Sequence, residues 1–479
     1  MDPQAKQGIS AEKDDTQANM AEKLDPSNTR TGTDFYRAQP VLNRRIHVLG
    51  MGSVGSFIAH SLRGIPNPPP VTLIFSGRKK WKEWNESPKR LQLITDGDVE
   101  RREGYDAEWA SPRPRYHGKE IEQVANTDDA SPEAPQPQRP LSEGESSDPI
   151  HSLIVCTKTP TVLQALSAVR HRLHKESVIL FLQNGMGTVD EVSREIFPDP
   201  ETRPHYMIGV NSHGMHSIQD NPFTTVHAGF GTISLGILPH ERGREPSPYA
   251  PTLIFKAGQD GRTPVTRANP ANPNPNAPRP AAPTFPWTPN HRYLLRTLLR
   301  IPALSAVGFS PPDLLQMQLE KLAVNCIVNP LTVLLDARNG SILYNYSLTR
   351  VMRLLLSEIS LVIRSLPELQ YIPNVQQRFD PGRLETMVVG VAHKTRDNIS
   401  SMLADVRAGR QTEIEYINGW IVKKGEEQGV RCLMNYMLMH MVKGKGGVIQ
   451  MEMGEGVPFV EGKPGEDEVV IKGGSGSGS

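Results

Sequence analysis

The chain has 479 residues, 37% of them hydrophobic and 42 of them proline, with 53 basic against 52 acidic residues and a formal net charge of +1. That length exceeds the usual size of one hydrophobic core, so at least two domains are expected, with proline-dense segments that cannot join a core. The charge balance supplies no global field for nucleic acid or an anionic membrane, and no apolar run reaches the ~18 residues of a membrane span, which leaves room for a small anionic ligand as partner.

Residues 1–43 are polar, with Asp2, Glu12, Asp14, Asp15 and Glu22 and no apolar periodicity. They read as a disordered arm and look like neither a signal peptide nor an Arg-rich, acid-poor transit peptide. A cytosolic location is favoured, with mitochondrial import through an internal signal left open.

Folding is expected from Arg44. Arg45 to Leu49 reads as a strand, Gly50 to Gly55 as a glycine-rich turn and Ser56 to Arg63 as the start of a helix. The breaker Pro66-Asn67-Pro68-Pro69-Pro70 precedes a second strand, Val71 to Phe75, which completes a βαβ unit. Residues 101–148 are dense in Pro, Ser, Glu and Asp and read as a disordered insertion. Strand character returns at Ser152 to Cys156, a helix is expected from Pro160 to Leu173, and another strand from Val178 to Leu182. This alternation predicts a Rossmann-type, doubly wound parallel sheet as an α/β N-terminal domain over 44–290. A second disordered insertion is expected over 239–290, because the stretch Asn269 to Pro278 is too proline-rich for helix or sheet.

From His291 the pattern changes to long amphipathic helices, including 315–335, 347–365 and 412–428, which predicts an all-α C-terminal domain over 291–445. Residues 446–479 are expected as a tail, and its end, Gly473 to Ser479, reads as a linker scar. Cys156, Cys326 and Cys432 have neither metal-ligand nor disulfide spacing and should be free thiols in a reducing compartment. His213, His216 and His227 lack a carboxylate or cysteine at ligand spacing, which favours structural or solvent roles over metal binding.

Three patterns carry chemistry. Gly50-Met51-Gly52-Ser53-Val54-Gly55 fits the dinucleotide fingerprint: a glycine for the tight turn, one for backbone approach to pyrophosphate, one for helix–strand packing. A purely structural turn is the alternative. The second strand is followed by Ser76-Gly77-Arg78-Lys79-Lys80, with no carboxylate for ribose hydroxyls, so NADP is expected with Arg78 on the 2′-phosphate, against an ordinary solvated basic turn. Lys321, Asn325 and Asn329 stand at i, i+4 and i+8 among apolar neighbours, so one helical face carries a cation and two amides that need partners. A polar ligand or a network between helices would serve.

Lys321 to Pro330, continued by Leu331-Thr332 and Asn339-Gly340, closely resembles the signature of the ketopantoate reductase family. Gly50 to Gly55, Val155 to Lys158, Gln183 to Gly187, His227 to Gly231, Ser400 to Asp405 and Gly409 to Gly419 agree in order, over roughly Arg44 to Met441. The resemblance implies a C-terminal domain like that of 6-phosphogluconate dehydrogenase, and NADPH-dependent reduction of 2-dehydropantoate to pantoate on the route to coenzyme A. It implies that Lys321 is the general acid, that Glu413 is the active-site carboxylate, and that Asn184, Asn325, Asn329, Asn339 and Ser401 contact substrate. Lys158 and Asn184 then lie by the cofactor.

Read without the resemblance, Asn184 suits a turn, Ser401 a helix cap, Glu413 a solvated helix charge and Lys158 an exposed strand end. The arm and insertions suggest a fungal member. Alternatives are a paralogue for another branched 2-oxo acid and a non-catalytic NADP-binding scaffold. A monomer and a homodimer both remain open.

Overall fold

Short apolar runs from Ile46 onward form strands whose alternate side chains enter two different cores. A computed structural model describes residues 42–110, 115–116, 119–120, 141–218, 221–239 and 287–454. The first half contains β1 (Ile46–Leu49), α1 (Ser53–Arg63), β2 (Val71–Phe75), α2 (Arg78–Glu86), β3 (Leu91–Thr95), β4 (Asp98–Arg102) and β5 (Tyr105–Trp109). Then follow β6 (Ile150–Val155), α3 (Val162–Val169), β7 (Leu173–Phe181), α4 (Thr188–Glu195), β8 (His205–Asn211), β9 (Gly214–Ile218), β10 (Asn221–Gly229) and β11 (Ile233–Ile237). After α5 (Pro289–Leu299) and β12 (Ala306–Gly308) the chain is helical: α6 (Pro311–Leu335), α7 (Tyr346–Ser365), α8 (Val375–Arg378), α9 (Pro381–Lys394), α10 (Ser401–Arg407), α11 (Asn418–Glu427) and α12 (Leu433–Gly454).

The eight-stranded sheet runs β12-β11-β8-β7-β6-β1-β2-β5, parallel throughout except where β11 meets β8. The period of two along each strand explains its two cores. Ile46, Val48, Val71, Leu73, Val178 and Leu180 join α1, α2 and α5 on one face. Leu49, Ile74, Ile179 and Phe181 join α3 and α4 on the other. A four-stranded sheet, β9-β10-β3-β4, was not expected from the sequence; Leu91, Leu93 and Phe223 pack it into the core that holds α1.

The fold class expected from the sequence is the one observed, with three boundaries corrected. The insertion expected from residue 101 begins later, because β5 pairs with β2 in the main sheet. Its alternation of Tyr105, Ala107 and Trp109 was outweighed in the sequence reading by neighbouring charge. The helical lobe starts near Pro311, not 291, since Leu294 and Leu298 of α5 pack in the sheet's core and β12 extends the sheet. Amphipathicity reveals a buried face but not which core buries it. Finally, α12 runs to Gly454, past the expected end at 445, with Ile449 still buried. Residues 1–41 of the arm, 121–140 of the first insertion, 240–286 with the proline-rich segment, and 455–479 of the tail lie outside the described residues.

The helical lobe is built around α6. Ser310 caps it, its hydroxyl oxygen accepting from the Asp313 N–H at 3.4 Å, and Pro311 and Pro312 occupy the first turn, where a missing N–H costs nothing. Most side chains from Leu322 to Val333 are buried against α7, α9, α10, α11 and α12. Among the described residues no helix is long and apolar enough to cross a membrane, and all three cysteines are free.

Two histidines of the α/β lobe are held neutral. Burial and the Arg102 guanidinium lower His60 of α1 to about 4, and burial with Arg172 and Arg45 lowers His47 of β1 to about 3. Each group takes up a proton in the unfolded chain near 6.5 but not in the folded one, so its stabilising contribution is complete above 6.5 and is lost as pH falls toward the folded value. Thermal unfolding should therefore shift to lower temperature between pH 7 and pH 5. His60→Leu should flatten that dependence by up to about 1.4 kcal/mol per pH unit, and an unchanged slope would contradict the burial of His60.

Candidate active site between the lobes

Parallel strands end their ladders on one side of the sheet, and loops there converge where helices leave in different directions. Four neighbouring strands contribute: the Gly50 turn after β1, Cys156 to Thr159 after β6, Gln183 to Gly187 after β7, and Asn211 at the end of β8. The helical lobe meets these loops with α6 and with the turn around Glu413.

The glycine turn has the form its sequence suggested. Gly50 has φ +97°, and a Cβ there would lie 2.6 Å from the Thr157 side chain. A Cβ on Gly55 would meet the Gly50 carbonyl oxygen at 2.1 Å, so α1 can pack this closely only with glycine. Gly52 is exposed, with nothing within 4 Å of a built Cβ. Met51 is buried, Ser53 and Val54 partly so, and the first turn of α1 has no acidic residue and no side-chain cap. Its N–H groups and the helix dipole thus face open space, an arrangement that fits a phosphate. At the end of the adjacent β2, Arg78, Lys79 and Lys80 are exposed in the first turn of α2, which also lacks an acid and a cap.

Lys321 projects from α6 into the loops of the other lobe. Its ammonium donates to Asn184 Oδ1 at 2.8 Å and to the Asn211 carbonyl at 2.5 Å. Asn184 Nδ2 donates to Glu413 Oε2 at 3.1 Å. An ammonium can only donate and a carboxylate can only accept, so these two partners determine which way the Asn184 amide points. The other oxygen of buried Glu413 accepts from the Thr159 N–H at 3.3 Å and lies 3.0 Å from Thr159 Oγ1. Burial lowers the Lys321 pKa to about 8, against the opposing charge of Glu413. Around neutral pH the group is mainly an ammonium, yet it can lose its proton readily.

Asn325 and Asn329 follow one and two turns along the same face of α6, and neither side chain has a hydrogen-bond partner among the described residues. Asn339 is buried; its Nδ2 donates to Thr395 Oγ1 at 3.0 Å while its Oδ1 has no partner among the described residues. Ser401 is exposed in the first turn of α10, and it is Ser400 that caps this helix by accepting from the Leu403 N–H at 3.1 Å. Lys158 pairs with buried Asp405 at 2.7 Å, across the lobes, and Arg410 takes the other oxygen of Asp405 at 3.0 Å. His213 sits between His227 and the Leu304 carbonyl, each 3.0 Å from a ring nitrogen, and His216 is exposed.

Sequence reasoning missed Thr159, Asn211 and Asp405. The available signal was positional: Thr159 and Asn211 are polar residues at or just beyond the carboxyl end of an apolar strand. The lobes touch closely beside them. Gly185, at φ +83°, lies under the Tyr416 carbonyl, where a Cβ would come within 2.5 Å, and the Met186 N–H donates to that carbonyl at 2.8 Å. Tyr416 also donates its hydroxyl to Glu191 at 2.8 Å.

Comparison with known proteins identifies the family and the fold. Residues 46–240 match the family profile described as ketopantoate reductase PanE/ApbA, and residues 313–446 match its C-terminal counterpart. A protein named probable 2-dehydropantoate 2-reductase from Schizosaccharomyces pombe is 26% identical over 412 residues, covering 85% of this chain and 98% of its own length. A ketoisovalerate reductase from Gibberella fujikuroi is 24% identical over 416 residues, covering 79% and 78%. The crystal structure of a PanE/ApbA family ketopantoate reductase from Ralstonia eutropha shares the fold at a TM-score of 0.54 and 17% identity, over 85% of this chain and 99% of that one. With both profiles matched over more than half of its length, the chain belongs to the ketopantoate reductase family of oxidoreductases.

Proposed function

We propose that the chain reduces 2-dehydropantoate to pantoate with NADPH, Lys321 serving as proton donor to the oxo oxygen. The observation that carries this reading is the Lys321 ammonium, seated between Asn184 and the Asn211 carbonyl at the carboxyl ends of the strands, with Glu413 one amide further on. NADPH, when bound, supplies hydride to the substrate carbon. The Gly50–Gly55 turn would hold its pyrophosphate, and Arg78, with Lys79 and Lys80 beside it, would read the 2′-phosphate.

The chain's own residues do the rest. Lys321 hydrogen-bonds the oxo oxygen, stabilises the negative charge that develops there and releases its proton to it. Glu413 keeps the lysine charged in a site that disfavours charge, and it orients Asn184. Asn325, Asn329 and Ser401, whose side chains have no hydrogen-bond partner among the described residues, orient the substrate's carboxylate and hydroxyl; Asn339 contributes from the neighbouring turn. Lys158 would lie beside the bound cofactor, and it ties the lobes through Asp405.

Relatives bearing the names 2-dehydropantoate 2-reductase and ketoisovalerate reductase stand at similar identity. A panel of branched 2-oxo acids, followed by nicotinamide absorbance, therefore decides the substrate. The highest kcat/KM is expected for 2-dehydropantoate, and a clear preference for 2-oxoisovalerate would replace that assignment.

Lys321→Ala should lower kcat about 10²- to 10⁴-fold, the usual contribution of a positioned acid. Reduction needs the ammonium, so kcat/KM should fall as pH rises through about 8, whereas oxidation of the hydroxy acid, which needs the free amine, should rise over the same interval. Glu413→Gln removes the charge that supports the ammonium and should move this break to lower pH. A break that stays in place would deny the coupling.

Arg78→Glu should raise KM for NADPH about tenfold or more, the scale of one charge-assisted hydrogen bond, and leave KM for NADH nearly unchanged. Equal effects on both would remove the 2′-phosphate assignment.

A further inference from the structure

Helix α6 carries the Lys321–Asn325–Asn329 face, and it contains a proline, Pro330, directly after Asn329. A proline inside a helix has no N–H to give to the carbonyl four residues earlier, and its ring crowds that carbonyl. Here the orphaned acceptor is the carbonyl of Cys326, in the turn between Asn325 and Asn329 and fully buried. Water cannot satisfy it there.

A side chain from another helix does. Asn418, completely buried at the first residue of α11, donates from Nδ2 to the Cys326 carbonyl at 3.0 Å. The same amide nitrogen donates to Asn435 Oδ1 at 3.0 Å, and Asn435 Nδ2 donates to Glu358 Oε2 at 2.8 Å. Glu358 of α7 in turn accepts from the N–H groups of Met434 and Asn435, at 2.9 and 3.0 Å, in the first turn of α12. Both neighbours of Asn418 Nδ2 are acceptors, so the amide orientation is forced. Its Oδ1 is buried without a partner among the described residues, a penalty that the two donations must outweigh.

The two ends of this contact belong to different parts of the site. Cys326 lies on the helix that presents Lys321 and the two free amides, and Asn418 closes the short turn that begins at Glu413. One hydrogen bond therefore relates the face that orients substrate to the segment that supplies the carboxylate.

We propose that Asn418 is a positioning residue: by taking over the hydrogen bond that Pro330 cannot make, it holds the Asn325–Asn329 turn of α6 in register with Glu413. The inference rests on the reductase reading of the site. A cofactor bound on the other lobe should not sense it.

The test compares Asn418→Ala, Pro330→Ala and the double variant in the full-length chain. Pro330→Ala restores an N–H aimed at the Cys326 carbonyl and makes the donation from Asn418 dispensable. Asn418→Ala should lower kcat for 2-dehydropantoate about tenfold or more and raise its KM, while the Kd for NADPH stays within about twofold. Amide hydrogen exchange should quicken over residues 326–333. The double variant should recover most of the activity and the slow exchange, and if Asn418→Ala alone does not fold, the double variant should fold and turn over.

Wild-type kcat in Asn418→Ala, a matching loss of NADPH affinity, or a double variant no better than the single one would overturn the proposal. Hydrogen exchange needs no turnover. It therefore separates failure of this inference from failure of the reductase reading, which would appear as a wild-type chain inert toward every 2-oxo acid.

Discussion

A lysine ammonium drawn partly out of water must be given dipoles and an opposing charge, or it discharges. In this chain those partners come from two lobes at once: Lys321 from the helical lobe, Asn184 and the Asn211 carbonyl from the sheet, and Glu413 again from the helical lobe. The hydrogen bonds pass between the lobes twice to make one short row. That row constrains the rest of the architecture, since neither lobe can satisfy its own polar groups alone.

The sheet meets this demand by ending strands side by side. β1, β6, β7 and β8 are neighbours, so their carboxyl ends deliver the open glycine turn at Gly52, the Thr159 hydroxyl, the Asn184 amide and the Asn211 carbonyl from adjacent strands. The helical lobe meets it with a long helix whose buried second half is anchored on all sides. Direct backbone contact at Gly185 and Tyr416, together with the Lys158–Asp405 pair, holds the two surfaces close. An ion pair with one partner deeply buried serves as a local constraint more than as a large source of stability.

Much of this was legible in the chain because it depends on local patterns. The glycine turn between an apolar strand and a helix announces itself, as does the four-residue spacing of Lys321, Asn325 and Asn329 on one helical face. Grouping Lys321 with Asn184 and Glu413 depended on resemblance to a family, because residues so far apart in sequence carry no periodicity that relates them; in the structure Asn184 hydrogen-bonds both of the others and so joins them. Asn211 acts through a backbone carbonyl, which no residue type reveals, and Asp405 reads as one more helix charge until its partners appear. β4 and β5 were missed because a half-charged strand alternates too weakly to stand out beside an acidic, proline-rich neighbourhood. The assignment of α5 failed for another reason: an apolar stripe looks the same whether a sheet or a bundle covers it.

The central claim is that the Lys321 ammonium faces the reacting carbonyl. A crystal structure of the full chain with NADP⁺ and pantoate tests it most directly. The account places the pantoate hydroxyl oxygen about 3 Å from Lys321 Nζ and the hydroxyl-bearing carbon against the nicotinamide ring, with Asn325 and Asn329 on the ligand. A ternary complex in which Nζ keeps only Asn184 and Asn211 as partners while the hydroxyl points elsewhere would contradict it.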